Sequence, residues 1–211
     1  MTAKRSRRPG TIAVVLLAAP LALLLAPPLC PGVGSLPFAV PRINTSPSLP
    51  RGLYLLELEP LRRALRPGDL VLACPPPAAA TLALALARGY LDPGSCSGGT
   101  KPLGKLVLAV AGDRLELAAS GVTLNRCRLP ATVSRSADTR GRPLPRFPPG
   151  AYRVRTGDIW LFSPHPRSFD SRYFGPVAAT GIRGLLHPLL VGSSPPLHRW
   201  SALLRACAAQ P

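Results

Sequence analysis

Two kinds of residue in this chain could supply the nucleophile and the base of an acyl-transfer reaction. The segment RINTSPSLPRGLY, residues 42–54, places the hydroxyls of Thr45, Ser46 and Ser48 among prolines. A serine hydroxyl becomes a useful nucleophile when a neighbouring base takes its proton. On this segment alone the three hydroxyls are equivalent, and a polar segment leaving a membrane is the alternative interpretation.

The base is sought among the lysines, because the chain has only three of them beside 23 arginines. Arginine stays protonated in proteins, whereas a desolvated lysine can lose its proton near neutral pH. Lys105 opens the apolar segment KLVLAVAGD, which predicts a strand buried on both faces. Burial must lower its pKa from ~10.4 to about 7–8, a bias of roughly 3–5 kcal/mol against the charged form. Lys101, beside glycines and a proline, is predicted to lie in a solvated loop, and an ordinary strand-edge lysine is the alternative for Lys105.

Three further polar residues, Ser168, Asp170 and Arg172, alternate along the chain. On an extended segment they would face one side. A hydroxyl can orient a neutral lysine without recharging it, and a carboxylate would raise the lysine's pKa unless an arginine already binds that carboxylate. An ordinary surface salt bridge is the alternative. A Ser-His-Asp triad is disfavoured, because none of the three histidines has a recognisable catalytic context.

Short strands are predicted to carry these residues. Gly-Asp pairs at 68–69, 112–113 and 157–158 precede β-favouring residues, which is typical of tight turns entering strands. One internal helix is predicted at 78–91, and an exposed loop insertion at 126–150. The sequence therefore predicts a mostly β fold with one or two short helices and strands at 52–58, 70–73, 106–110, 114–117, 122–124, 159–162 and 182–190.

An uncharged run at residues 11–29 predicts a single N-terminal transmembrane helix, since about 20 apolar residues cross a bilayer. Cations before the run favour a cytoplasmic N-terminus. A cleaved signal peptide is the alternative, but no small-residue cleavage site follows. The sequence therefore predicts five segments: a basic cytoplasmic tail (1–10), an anchor (11–29), a membrane-exit linker (30–43), a periplasmic catalytic domain (44–191) and a C-terminal tail (192–211). For the C-terminal tail, a short basic helix is the only element that the sequence suggests.

The formal net charge of +17 favours a domain lying against an anionic membrane. Nucleic acid is disfavoured, because the arginines are scattered and only 5% of residues are aromatic. Cys74 and Cys96 bracket the predicted helix and are the disulfide candidate. The pairing of Cys30, Cys127 and Cys207 stays open. Neither a metal nor a cofactor is expected, because no cysteines or histidines have metal-ligand spacing.

The segments SPSLPRGLY, GDLVLACPP, KLVLAVAGD, GDIWLFSP and SFDSRYFGPV resemble, in this order, the sequence boxes of type I signal peptidases. Within that superfamily the likeness is to the conjugative-transfer TraF-type signal peptidases, which mature pilin precursors. The resemblance covers about residues 44–188, and SFDSRYFGPV is its most specific part. It implies a signal-peptidase-like β domain of the LexA/leader-peptidase type.

The resemblance also implies roles for single residues. Ser48 corresponds to the nucleophile and Lys105 to the general base, while Ser46 corresponds to a side-chain donor of the oxyanion hole. Ser168 corresponds to the hydroxyl that holds the lysine, and Asp170 and Arg172 to a supporting pair. The lead-in SPHPR, residues 163–167, lacks the acidic, asparagine-rich pattern of general leader peptidases. Together with the cysteine-bracketed insertion, this difference favours the conjugative branch.

The expected function is that of an inner-membrane serine endopeptidase that cleaves an exported precursor, and the expected precursor is a conjugative pilin. The expected partners are that precursor, membrane lipid and components of type IV secretion. Hydrolysis and head-to-tail cyclisation of the pilin stay open as outcomes. The alternatives are a general leader peptidase, a catalytically inactive assembly factor for the pilus or secretion channel, and a Ser-Lys autoproteolytic repressor. The membrane anchor disfavours the repressor.

Overall fold

Short antiparallel strands make up most of the described residues, which are 39–58, 63–194 and 196–210 of a computed structural model. The 28 prolines and 19 glycines of the chain keep these strands short. The predicted cytoplasmic tail and anchor lie outside the described residues. Within the described ranges, no helix is long and apolar enough to cross a membrane. The strands are β1 (Ala39–Asn44), β2 (Gly52–Leu58), β3 (Leu70–Ala73), β4 (Leu103–Ala109), β5 (Arg114–Ala118), β6 (Gly121–Leu124), β7 (Cys127–Arg128), β8 (Gly150–Arg153), β9 (Asp158–Phe162), β10 (Val177–Ala178) and β11 (Ile182–Val191), and the helices are α1 (Thr81–Ala87), α2 (Ser171–Phe174) and α3 (Leu197–Ala208).

The strands form two sheets. The larger sheet has seven strands in the order β1-β2-β11-β3-β4-β9-β10, and the smaller has four in the order β7-β6-β5-β8. Every pairing between neighbouring strands is antiparallel. β4 therefore lies inside the larger sheet, with β3 on one side and β9 on the other. The predicted mostly β architecture with few helices is confirmed.

β4 is buried on both faces, as its apolar sequence predicts. Leu106 and Leu108 pack in the core that contains Tyr54 and Phe162. Val107 points into a second core, which is built from β3, β9 and helices α1 and α2. Alternate residues of one strand thus face two apolar cores. Lys105 precedes this buried run, and its Cα lies opposite that of Val71 in β3.

Three predictions need correction. The segment 126–150, predicted to be an exposed loop, contains strand β7 and the buried residues Leu129 and Thr132. Residues 39–43 were assigned to the linker, but they pair with β2 as the edge strand β1. The predicted helix at 78–91 is shorter: the prolines at 75–77 hold residues 78–80 in a turn, and Gly89, at φ +70°, follows the last helical turn. The remaining predicted strands correspond to observed strands within a few residues.

The segment after residue 191 is part of the same compact unit. Its helix α3 buries Leu204 and Cys207, and the Trp200 ring lies 5.1 Å from the Phe162 ring. The predicted short helix is therefore present, and it packs on β4 and β6 instead of forming a detached tail. Cys207 forms a disulfide with Cys127, a pairing that the sequence left open. The predicted Cys74–Cys96 disulfide is present as well, and Cys30 lies outside the described residues.

We predict that the Cys127–Cys207 disulfide stabilises the fold more than Cys74–Cys96 does. It joins residues 80 apart instead of 22, so it restricts the unfolded chain more. On the chain-entropy model, replacing both Cys127 and Cys207 by Ala lowers the free energy of unfolding by about 4.5 kcal/mol, against ~3 kcal/mol for the Cys74/Cys96 pair. Denaturant unfolding in detergent, followed by tryptophan fluorescence, measures both. An equal loss in the two variants would contradict the prediction.

Candidate active site

The loop between β1 and β2 holds Ser48 in a fixed position. Asn44, the last residue of β1, donates through its side-chain amide to the carbonyl oxygens of Ser46, Leu49 and Pro50 at 3.0–3.1 Å. The hydroxyl of Tyr54 donates to the same Pro50 carbonyl at 2.6 Å. Buried Leu49 anchors the loop beneath Ser48, which is itself half-buried.

Gly104 lets this loop pack directly on β4. A Cβ atom at position 104 would lie 2.6 Å from Cδ1 of Leu49, far inside van der Waals contact. The absence of a side chain one residue before Lys105 therefore brings the serine loop next to the lysine strand. The loop and Lys105 line one groove of about 660 Å³, whose walls also include Tyr90, Arg167 and Phe169.

Lys105 is almost completely enclosed, with 2% of its surface exposed. Its Nζ donates to the hydroxyl of Ser168 at 2.8 Å. Burial lowers the pKa of Lys105 to about 8, while the charge of Asp170 opposes this shift and that of Arg172 supports it. A substantial part of the lysine population is therefore neutral at slightly alkaline pH, as a general base requires.

Ser168 lies between the lysine and the candidate nucleophile. Its Oγ is 2.8 Å from Lys105 Nζ and 3.5 Å from the Oγ of Ser48. The backbone N–H of Ser168 donates to the carbonyl of His165 at 2.9 Å, which fixes the turn that presents the hydroxyl. The structure thus connects Ser48, Ser168 and Lys105 in one row of two successive hydrogen bonds.

Asp170 and Arg172 form a buried ion pair behind this row. Two hydrogen bonds of 2.8 Å join the guanidinium to both carboxylate oxygens. Arg172 also donates to the carbonyl of Thr132 at 3.2 Å and lies 4.9 Å from the centre of the Phe162 ring. Because the guanidinium binds the carboxylate, Asp170 is held away from direct hydrogen bonding with Lys105.

The extended conformation predicted for residues 168–172 is wrong at its end. Asp170 is extended, but its carboxylate accepts from the backbone N–H of Arg172 and caps the short helix α2. Arg172 therefore lies in a helical turn, and its side chain folds back onto Asp170. A capping interaction, which the alternating pattern does not reveal, brings the two charges together.

Ser46 lines the groove, but its hydroxyl is engaged elsewhere. Its Oγ donates to the side-chain oxygen of Asn44 at 2.9 Å. To serve in an oxyanion hole, the hydroxyl must turn from Asn44 towards the substrate. Among the described residues, the backbone N–H of Ser48 makes no hydrogen bond, so this donor is free for a substrate oxygen. Thr45 is exposed.

Two residues of the site were not predicted. Asn44 organises the serine loop, as described above. Ser163, directly after β9, donates its hydroxyl to the backbone carbonyl of Ser48 at 2.6 Å, and its own N–H donates to Asp170 at 3.2 Å. It thereby links the serine loop to the buried ion pair. The position of Ser163 at the end of a buried strand is the only sequence signal for it.

Comparison with known proteins identifies the family of this chain. The model of the family described as signal peptidase, peptidase S26, matches residues 11–189. The chain is 41% identical over 174 residues to the probable conjugal transfer protein TraF of Sinorhizobium fredii (strain NBRC 101917 / NGR234), covering 81% of this chain and 89% of that protein. It is 37% identical over 150 residues to a plasmid transfer protein TraF of Escherichia coli, covering 71% and 82%.

Among solved structures, a signal peptidase I from Enterococcus faecalis V583 aligns with a TM-score of 0.34 and 16% identity, over 58% of this chain and 97% of that one.

These matches define the chain as a serine peptidase of the signal peptidase I type, which acts on protein substrates. It belongs to the signal peptidase S26 family, and TraF proteins of conjugal transfer are among its relatives. The resemblance seen in the sequence is thereby confirmed. The roles of single residues remain predictions.

We predict that replacing Lys105 by Met stabilises the protein at neutral pH. Below pH 8 the lysine is protonated in both the folded and the unfolded chain, so the folded state bears the full cost of a buried charge. Between about pH 8 and 10.5 only the unfolded chain still binds the proton, so wild-type stability rises with pH. The difference between these two pKa values corresponds to about 3 kcal/mol.

Denaturant unfolding in detergent should therefore show K105M about 3 kcal/mol more stable than wild type at pH 7, with the gap closing above pH 10.5. K101M is the matched control, because the Lys101 side chain is 64% exposed, and it should change little at any pH. If K105M is no more stable than wild type at pH 7, then burial of the Lys105 charge does not lower the free energy of unfolding, and the prediction is wrong.

Proposed function

We propose that the chain is a membrane-anchored endopeptidase with a Ser48/Lys105 dyad, which cleaves an exported precursor of the conjugative pilus. The observation that carries the dyad is the row of Ser48, Ser168 and buried Lys105, with successive separations of 3.5 and 2.8 Å. The names of the relatives support a role in conjugal transfer, and the sequence resemblance to pilin-maturing peptidases supports the pilin precursor as substrate. The apolar run at residues 11–29 supports an inner-membrane anchor with the catalytic unit in the periplasm.

In the proposed mechanism Lys105 enters the reaction neutral. Loss of the lysine proton reverses the hydrogen bond between Lys105 and Ser168, so that Ser168 donates to the lone pair of Nζ while it accepts the hydrogen bond of Ser48. As the Oγ of Ser48 bonds to the substrate carbonyl carbon, its proton passes along this row to Lys105. The Ser48 N–H stabilises the oxyanion, joined by the Ser46 hydroxyl once that hydroxyl leaves Asn44.

The resulting ammonium then returns its proton to the nitrogen of the leaving peptide, whose C–N bond breaks. An acyl-enzyme on Ser48 remains. Water completes hydrolysis, and attack by the amino terminus of the same pilin chain instead gives a ring and releases the free serine. In both routes Lys105 takes the proton of the incoming nucleophile and passes it back to Ser48 Oγ.

The substrate lies extended in the groove of about 660 Å³ next to the serine loop. The groove is lined by the serine loop and by the segment enclosed by the Cys74–Cys96 disulfide, among other residues. Tyr90 and Leu91 come from that enclosed segment. The disulfide thus stabilises one wall of the proposed substrate site.

The test uses full-length enzyme in detergent or membranes with two precursors: the pilin encoded with the same transfer system and an ordinary secretory precursor. S48A and K105M should each lower the cleavage rate by about 10⁴-fold or more. T45A and K101M are the matched controls, because they remove a hydroxyl from the same loop and an ammonium from the same groove. Neither group takes part in the proposed proton transfer, so both variants should retain kcat, and any effect should be on KM.

Mass spectrometry identifies the product, since a cyclic pilin is lighter by one water than the linear cleaved chain. Cleavage that persists in S48A or K105M would reject the dyad. Preferential cleavage of the secretory precursor would instead identify a general leader peptidase.

A further inference from the structure

The outer face of the smaller sheet carries three arginines that we call the arginine face: Arg114, Arg126 and Arg153. They line a concave surface of about 790 Å³ built on β5, β6 and β8. All three are exposed. Within the part of the chain that the structure describes, none of them forms an ion pair with an acidic side chain. Glu116 is the single acidic residue of this surface.

Two of these arginines lie directly opposite each other. Arg114 in β5 and Arg153 in β8 are register partners of the antiparallel pair. Like charges in this cross-strand position destabilise a sheet. An anion that lies between or above the two guanidinium groups would relieve this repulsion.

The third arginine occupies a strained position. Asn125 and Arg126 form the two-residue turn between β6 and β7, and both have positive φ, 45° and 67°. Glycine is the residue that suits the second position of such a turn. Asn125 fixes the turn, because its side-chain oxygen accepts from the backbone N–H of Arg114 at 2.7 Å and its amide donates to Asp113 at 2.8 Å. The turn therefore holds Arg126 next to Arg114 despite an unfavourable backbone.

We propose that the arginine face docks on the anionic phospholipid headgroups of the bilayer in which the chain is anchored. This inference rests on the membrane anchor of the proposed function. The apolar run ends at residue 29, and β1 begins at residue 39. A connection of nine residues spans at most about 30 Å. Headgroup phosphates are thus the anions that an anchored chain meets at high local concentration.

Such docking holds the substrate groove in one orientation over the membrane. When the cleavage site of a precursor lies next to the bilayer, Ser48 is then already oriented towards it, and the catalytic unit need not reorient before the reaction. Each basic residue near an anionic membrane surface raises the equilibrium constant for docking by about fivefold. Salt should weaken the docking, because exposed charges are screened.

The experiment measures energy transfer from the native tryptophans to a dansyl-labelled lipid, with full-length protein in nanodiscs. Trp160 and Trp200 are the two tryptophans of the chain, and the Trp160 ring lies 5.5 Å from the ring of Tyr152, which lines the arginine face. Nanodiscs contain phosphatidylcholine alone or a mixture with phosphatidylglycerol. Wild type should show more transfer in the anionic discs, and high salt should remove the difference.

Two variants test the face itself. R114Q/R153Q should shift the docking equilibrium in anionic discs by about 25-fold, and R126G by about fivefold. R126G should also keep its stability, since glycine suits the positive φ. The control R140Q/R199Q removes two exposed arginines elsewhere and should behave as wild type.

Equal energy transfer for wild type in the two kinds of disc, or unchanged transfer in R114Q/R153Q, would overturn the proposal. Precursor cleavage in detergent distinguishes this failure from a failure of the proposed function. If the docking proposal alone is wrong, the variants and wild type cleave equally in detergent. If the proposed function is wrong, none of them cleaves.

Discussion

The central physical constraint in this structure is the desolvation free energy of one buried amino group, that of Lys105. Lys105 lies in a strand whose following residues are buried on both faces, so water cannot solvate its charge. The pKa of the lysine falls to about 8 as a result. A neutral lysine next to a hydroxyl is the chemical basis of the proposed dyad. The surrounding elements exclude water from Lys105, prevent carboxylates from stabilising its protonated form, and place serine hydroxyls next to it.

Each of these tasks is carried out by a different part of the chain. The central position of β4 supplies the burial, with β3 and β9 as neighbours and α3 packed over Phe162. Arg172 binds both oxygens of Asp170, the carboxylate whose charge acts on the lysine. Ser163 connects the ion pair to the serine loop through hydrogen bonds to Asp170 and to Ser48. The nucleophile, the base and the charge pair are thus parts of one hydrogen-bonded assembly. A displacement of one of these groups therefore displaces the others.

The sequence predicts the parts of this assembly that depend on local patterns. The apolar run after Lys105 predicts its burial, and the Gly-Asp turns predict the strands that follow them. β1 was missed because it is an exposed edge strand containing Pro41, so it shows no alternating apolar pattern. The extended conformation expected for residues 168–172 was wrong at its end, because Arg172 is positioned by the helix α2 that Asp170 caps and not by a strand. Residues 63 apart, such as Lys105 and Ser168, come together through sheet topology, so only the family resemblance linked them. The Cys127–Cys207 pairing likewise follows from the docking of α3, which spacing does not reveal.

The most direct test of the account is the pKa of Lys105 itself. The chain has three lysines, so the full-length protein labelled with ¹³C and ¹⁵N at the lysine side chains gives three resonances, which K105M and K101M assign. The account predicts that the Lys105 side chain titrates at about 8. A Lys105 side chain that titrates near the ordinary lysine value of ~10.4 would mean that the lysine stays charged at neutral pH and cannot serve as the base.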